Sequence, residues 1–286
     1  MTSPIVEALS KSAIVIRDLA SIEELRQVPE IEKEVWAADD RDAIPVLLLI
    51  AAREAGSILV GAFEGEKLIG FAFGFPALEH GHVSIHSHMA AVLPQYRNLN
   101  LGYKLKLAQR ERALAMRLEE ITWTFDPLQA RNAHFNFAKL GVVCDRYKVD
   151  FYGRESTSAL HQNGTDRLWV SWQLNSARVQ ERLRGASPES DIPSPRALLV
   201  RCDQQARPVR DEGAELDSSQ IVGIEIPADI DRIEESDAAL AWDWRLATRW
   251  AFTQALKSGF FVAEFLRGSS GQHGGTYILQ KGSAHG

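Results

Sequence analysis

Three sets of residues have the types and spacing to do chemistry. The first is VLPQYRNLNLG, Val92 to Gly102. An extended segment that stops at Pro94 and re-enters a helix near Gly102 gathers consecutive backbone N–H groups and a helix N-terminus at one point, which suits an anion. Arg97 adds a fork of donors, and Gly102 lets the backbone come close to a phosphate. The second set is the alternating histidines His80, His82, His86 and His88. His86 and His88 share one strand face, as metal ligands do, but a zinc or iron site needs a third ligand and partners that orient the others. Asp126 is available and nothing in the sequence demands it, so no metal is expected. The anion cradle accounts for the loop and the helix as well as the strand. The third set is Arg245 and Arg249, four apart on a helix with Trp242 and Trp250 close by. Facing a cleft they would grip a substrate carboxylate; facing solvent they would pair with Asp237 or Asp243.

These groups need elements to hold them. AIVIRDL (13–19) reads as a strand, and Ser21 with Glu24 makes a capping box that opens a helix to about Trp36. A second helix over 44–54 ends near Gly56, and strands 57–65 and 67–75 form a hairpin turning at Gly65. His82 to Pro94 reads as a longer strand, with Ser84, His86, His88, Ala90 and Val92 on one face. The helix over 102–120 is expected to lay Leu107, Leu114 and Leu118 on a sheet and to show Lys106, Arg110 and Arg117 to water. A strand stopped by Pro127, a helix capped by Gly141, and the strands VCDRYKVDFYG and RLWVSWQL follow. This order implies an α/β (α+β) fold: a mixed, mostly antiparallel sheet with helices on its faces. Residues 177–195, rich in Ser, Pro and charge, read as a short helix and linker. Residues 196–286 read as a smaller α+β unit with a helix over about 230–258 and a flexible loop at RGSSGQHGG.

Composition narrows the functional classes. The 286 residues suit about two domains, and 45% hydrophobic with 24% charged residues is globular rather than disordered or collagenous usage. A formal net charge of −6 argues against a dedicated nucleic-acid binder, which needs a dense basic face. Cys144 and Cys202 are too few for a disulfide framework and lack metal-ligand spacing, so a reducing cytoplasm is the expected location. The N-terminal stretch has no apolar run after a basic start and does not read as a signal peptide. The longest apolar run, Ile44 to Ala52, is about half of what a bilayer crossing takes, so no membrane partner is expected.

The loop resembles the signature of the GNAT family of acyl-CoA-dependent N-acyltransferases: a Val-x-Pro-x-x-Arg strand end followed by Gln/Arg-x-x-Gly-x-Gly/Ala. The matching residues are Val92, Pro94, Arg97, Asn100 and Gly102. The resemblance, covering about Ala13 to Leu174, implies that the backbone of Asn98, Leu99, Asn100, Leu101, Gly102 and Tyr103 holds the CoA pyrophosphate. It further implies that the main chain of Ala91, Val92 and Leu93 pairs with the pantetheine arm. NAHFNFAKLGV looks like the family's asparagine-containing helix, so Asn132 would touch the pantetheine. Two departures stand out. Asn100 replaces a glycine, tolerable because Asn enters the left-handed region more readily than most residues. Phe137 occupies the position where many members carry a tyrosine general acid, and Asn132 lies two residues closer to the glycine than is usual.

Acyl transfer needs a neutral amine set against the thioester and a proton returned to the thiolate. Candidate bases are His86, His88 and Asp126, each with an ordinary structural role as its alternative. With Phe137 unable to donate, the proton would come from Tyr147, Tyr152 or solvent. The expected protein is therefore an N-acyltransferase moving an acetyl or succinyl group from acyl-CoA to a small-molecule amine, an amino acid if the arginines face a cleft. Its domains are an acyl-CoA-binding domain at 11–176, a linker at 177–195 and a C-terminal α+β domain at 196–286 that shapes the acceptor pocket or a homodimer interface. The rival readings are a catalytically inactive CoA-binding regulator and a histidine-metal enzyme.

Overall fold

The structure, a computed structural model, describes residues 13–79, 81–153, 163–186, 195–268 and 273–284. The chain forms two compact units, Met1–Ala77 with Ser87–Met116, and Leu78–His86 with Arg117–Gly286.

The first unit opens with β1 (Ile14–Asp18), α1 (Ile22–Leu25) and α2 (Gln27–Trp36). The capping box forms: Glu24 N donates to Ser21 Oγ at 3.2 Å and Ser21 N to Glu24 Oε2 at 3.2 Å. The single helix expected to Trp36 is two pieces, because Pro29 has no N–H to offer the Leu25 carbonyl one turn earlier. After α3 (Val46–Glu54) the hairpin forms as β2 (Ile58–Glu64) and β3 (Lys67–Glu79), with β1 and β3 both antiparallel to β2. Leu25, Val28, Leu49, Val60 and Phe71 pack into the core of this unit. β4 (His82–Val92) lies so close to β3 that a Cβ on Gly70 would stand 2.9 Å from the Ala91 carbonyl oxygen. A short 3-10 helix, Pro94–Leu99, leads into α4 (Leu101–Ala115).

The faces of α4 differ from the expected ones. The helix stops at Ala115, before Arg117 takes a left-handed backbone at φ 61°. Its buried stripe contains Leu101, Leu105, Ala108 and Ala113, and it also takes in Lys106 and Gln109. Lys106 is not a solvent charge: its Nζ donates to Ser87 Oγ at 2.7 Å, and that hydroxyl donates to Gln109 Oε1 at 2.8 Å. Hydrogen bonds satisfy what periodicity alone assigns to water. Burial lowers the Lys106 pKa to about 7.

In the second unit the start of β4 runs parallel to β5 (Glu120–Phe125), with Ile85 opposite Ile121 and His86 opposite Thr122. β7 (Arg167–Gln173) pairs with β5 and with β6 (Val143–Lys148), both antiparallel. β11 (Phe260–Arg267) joins β6 where Val262 faces Cys144. β12 (His273–Lys281), β10 (Ile221–Pro227), β8 (Ala197–Cys202) and β9 (Pro208–Arg210) extend the order beyond β11. Of these added pairings only β10 with β8 is parallel. The predicted mixed, mostly antiparallel sheet with helices is what forms. α5 (Ala130–His134) passes into a π-helical turn over Phe135–Leu140 that Gly141 closes at φ 76°.

The C-terminal segment is built into this unit. Arg178 and Arg182, on or at the end of α6 (Ala177–Leu183) where Arg182 is its last basic residue, pair with buried Glu264 at 2.8 and 2.7 Å. The buried Tyr277 hydroxyl donates to the Pro127 carbonyl at 2.7 Å, and its ring meets those of Phe137, Phe252 and Phe265. The long helix expected near 230–258 is divided into α7 (Ile230–Ser236) and α8 (Ala238–Lys257), because Asp237 leaves helical backbone to cap α8 through Leu240 N. Residues 187–194 of the expected linker and 269–272 of the expected loop lie outside the described residues. Among the described residues no helix is long and apolar enough to cross a membrane.

Candidate active site

The cradle belongs wholly to the first unit. β4 ends at Val92, Leu93 N donates to Ile69 O at 3.0 Å, and Tyr96 N returns to Leu93 O at 2.9 Å. The Tyr96 hydroxyl donates to Glu64 Oε2 at 2.7 Å, fixing the 3-10 turn to the end of β2. Asn100 takes the left-handed conformation, φ 56° and ψ 26°, that the missing glycine would supply. α4 begins immediately after it with no acidic residue in its first turn, so its leading N–H groups carry the positive end of the helix dipole. Nothing lies within 4 Å of where a Gly102 Cβ would stand. Open space at that point, rather than an internal packing demand, fits a glycine that clears room for a ligand. Exposed Arg97 sits in the same turn. Ala91 and Leu93 are buried, while Asn98, Leu99 and Tyr103 flank the turn.

Of the predicted catalytic residues, His86, Asp126 and Tyr147 are held by internal partners, Asp126 and Tyr147 in one charge network with Arg245 and Asp166. His86, 8% exposed, makes a 3.0 Å bond from Nδ1 to Thr122 Oγ1 and stacks on Trp169 at 4.6 Å between ring centres. Thr122 in turn donates to Glu79 Oε1 at 2.7 Å, and Arg146 closes the chain on Glu79 Oε2 at 2.8 Å. This is a packing histidine. Asp126 is committed to Arg245, which donates to its two oxygens at 2.9 and 2.6 Å, and its Oδ1 also accepts from Leu128 N at 2.9 Å. The Tyr147 hydroxyl donates to Asp166 Oδ2 at 2.6 Å, and burial with the neighbouring Asp166 charge raises its pKa well above the ordinary value. A phenol so held is a poorer acid for a thiolate. Tyr152 is exposed, with Arg167 over its ring at 5.2 Å. Asn132 is exposed on α5. Phe137 is fully buried against Phe125 and Tyr277.

The arginine pair also departs from expectation. Arg245 is 0% exposed and donates through Nε to Asn163 O at 2.7 Å in addition to its Asp126 fork. Arg249 bonds both oxygens of Asp166 at 2.8 Å and Asp150 at 2.8 Å. The carboxylates these arginines grip are the protein's own, and they are neither a substrate's nor those of Asp237 and Asp243. Among the described residues no group of three or more His, Cys, Asp or Glu comes together as metal ligands would. His80 lies outside the described residues, and His82 is exposed.

Residues 19–141 match the model of the acetyltransferase (GNAT) family. The likeness to that family lies in this segment, less than half of the chain. The match takes in β4, the left-handed turn and α4, and ends at the glycine that closes the π-helical turn. Among solved structures, the ribosomal-protein-S18-alanine N-acetyltransferase from Escherichia coli is similar at 14% identity and a TM-score of 0.46, over 58% of this chain and 96% of that one. An acetyltransferase of the GNAT family from Streptococcus pneumoniae is similar at 18% identity and a TM-score of 0.45, over 56% of this chain and 98% of that one. A search of curated proteins gives no match.

Within the matched segment, a cavity of about 400 Å³ adjoins the cradle strand. His88 and Met89 of β4 line it, three and two residues before Ala91. His88 is exposed at the rim, with Phe73 and Phe75 rings at 6.3 and 5.7 Å; desolvation on that side lowers its pKa, so it is mostly neutral at pH 7. The cavity also holds a residue that the sequence reading passed over, Glu32 of α2. Leu25, Val28 and Glu32 fall at i, i+3 and i+7, so the apolar stripe continues into a carboxyl. That spacing was the available signal, masked by the charged run EIEKE around it. A larger cavity of about 900 Å³ in the second unit contains none of the cradle residues. Its charges are partly spent internally, as in the Glu79–Arg146 and Arg178–Glu264 pairs.

Proposed function

We propose that this chain is an N-acyltransferase that moves an acetyl group from acetyl-CoA to the amine of a small molecule. The observation that carries the reading is the turn from Pro94 to Tyr103: a left-handed Asn100, open space over Gly102 and the unblocked start of α4, inside a segment matching the GNAT family. In this reading the backbone of residues 98–103 with Arg97 holds the CoA pyrophosphate, and the Ala91–Leu93 main chain meets the pantetheine. His88 is the member of the predicted base set that lines a cavity beside the cradle strand. The thiolate takes its proton from the attacking nitrogen or from solvent, because Phe137 has none to give and Tyr147 holds its own. Acetyl is preferred to succinyl as the acyl group, since the two arginines that would favour a second carboxylate are paired internally. Residues 196–286 serve as a flank that buries Phe137 and ties down Asp126. The test is thiol release from acetyl-CoA with a mixed panel of small amines, read alongside mass detection of the acetylated product. Amine-dependent thiol release with a product heavier by one acetyl group supports the reading, and release that does not depend on amine contradicts it.

A further inference from the structure

Glu32 is 2% exposed. Its Oε2 accepts from Ile44 N at 3.2 Å, while its buried Oε1 has no hydrogen-bond partner. A buried carboxyl oxygen without a donor costs free energy and calls for an explanation. The residue lines the cavity beside β4, and the charged and titratable groups that share that lining are Arg41, Asp42 and His88. Arg41 and Asp42 are exposed and of opposite charge, and neutral His88 adds no cation, so the one deeply buried charge-bearing group is the glutamate. The remaining wall is apolar, with Leu48, Phe73 and Phe75 prominent.

We propose that this cavity is the acceptor site, and that it takes a small apolar primary amine whose ammonium is held and deprotonated by Glu32 while its hydrocarbon body lies against Phe73 and Phe75. The inference rests on the transferase reading above and adds the substrate class and the base. A carboxylate beside the amine would bring a second anion into a pocket whose single cation, Arg41, is at the solvent edge. An amino acid is therefore the poorer acceptor. The bound ammonium gives one proton to Glu32. The neutral nitrogen attacks the thioester carbonyl, the C–N bond forms and the C–S bond breaks, and the nitrogen's second proton goes to the departing thiolate. The products are the amide, CoA-SH and a protonated Glu32 that returns its proton to water. Burial raises the Glu32 pKa to about 7, where a general base is well matched to neutral pH.

The experiment uses the full chain with two probes that share a body, 2-phenylethylamine and phenylalanine. The wild type should acetylate 2-phenylethylamine with kcat/KM at least about tenfold above phenylalanine, a gap of about 1.4 kcal/mol. Its rate should rise through a limb near pH 7. Glu32→Gln should lower kcat by about 100-fold, the lower range for loss of a general base, and remove that limb. Its acetyl-CoA Kd should be unchanged. In titrations into the CoA complex, 2-phenylethylamine should bind the wild type and bind Glu32→Gln at least about tenfold more weakly. If the wild type does not bind acetyl-CoA, the transferase reading falls and this inference falls with it. Acetyl-CoA binding, with amine binding and the pH limb untouched in Glu32→Gln, or with phenylalanine preferred, overturns this inference alone.

Discussion

Replacing Glu32 by glutamine should stabilise the fold, and only at the pH values where Glu32 is strained. In the unfolded chain the carboxyl titrates near 4.5, and in the fold burial raises it to about 7. Between those values the folded state keeps a proton that the unfolded state has released, so this group's contribution falls as pH rises from 4.5 and levels off above about 7. At about 1.4 kcal/mol per pH unit, the interval from 4.5 to about 7 corresponds to about 3 kcal/mol. Glutamine keeps an oxygen for Ile44 N and carries no charge, so it resembles the protonated glutamate at every pH. Urea unfolding of both proteins at pH 4.5, 6, 7 and 8 isolates the effect, because every other titrating group cancels in the difference. The variant should match the wild type at pH 4.5 and exceed it by about 3 kcal/mol at pH 8. A difference that does not change with pH, or a variant less stable than the wild type at pH 8, would refute the assignment of a strained, buried carboxyl.

Three other substitutions separate the cradle from the frame. Gly102→Val should leave the unfolding midpoint nearly unchanged, since nothing lies within 4 Å of the new Cβ, and should weaken acetyl-CoA by about tenfold or more in a calorimetric titration. Arg245→Ala should destabilise the protein by about 3 kcal/mol, measured by urea unfolding, because it strands Asp126 beside a new cavity. Phe137→Tyr should cost about 1–3 kcal/mol through a buried hydroxyl and should not raise kcat, because the position is sealed by core aromatics.

Local chemistry was the part that the sequence made legible. The Ser21 and Glu24 box, the Pro94 strand end and the glycine at 141 each depend on a few neighbouring residues, and each formed as read. The loop at 94–103 was likewise readable, down to the left-handed Asn100. What could not be read were partners far apart in the chain. Arg245 meets Asp126 across 119 positions, and the helix-face argument that offered Asp237 or Asp243 could not reach it. Lys106 misled periodicity because a lysine with Ser87 as partner can lie on the buried stripe. Glu32 was passed over: its spacing after Leu25 and Val28 pointed inward, but it sits in the charged run EIEKE.

The central claim is that the turn from Pro94 to Tyr103 holds an acyl-CoA. Thermal unfolding of the full chain with acetyl-CoA, with desulfo-CoA and with ATP as a phosphate control tests it directly. Acetyl-CoA at about 100 times its Kd should add about 2.7 kcal/mol of stability, and at the same concentration that shift should fall to about 1.4 kcal/mol or less in Gly102→Val. No shift with acetyl-CoA at millimolar concentration, or an equal shift in Gly102→Val, would contradict it.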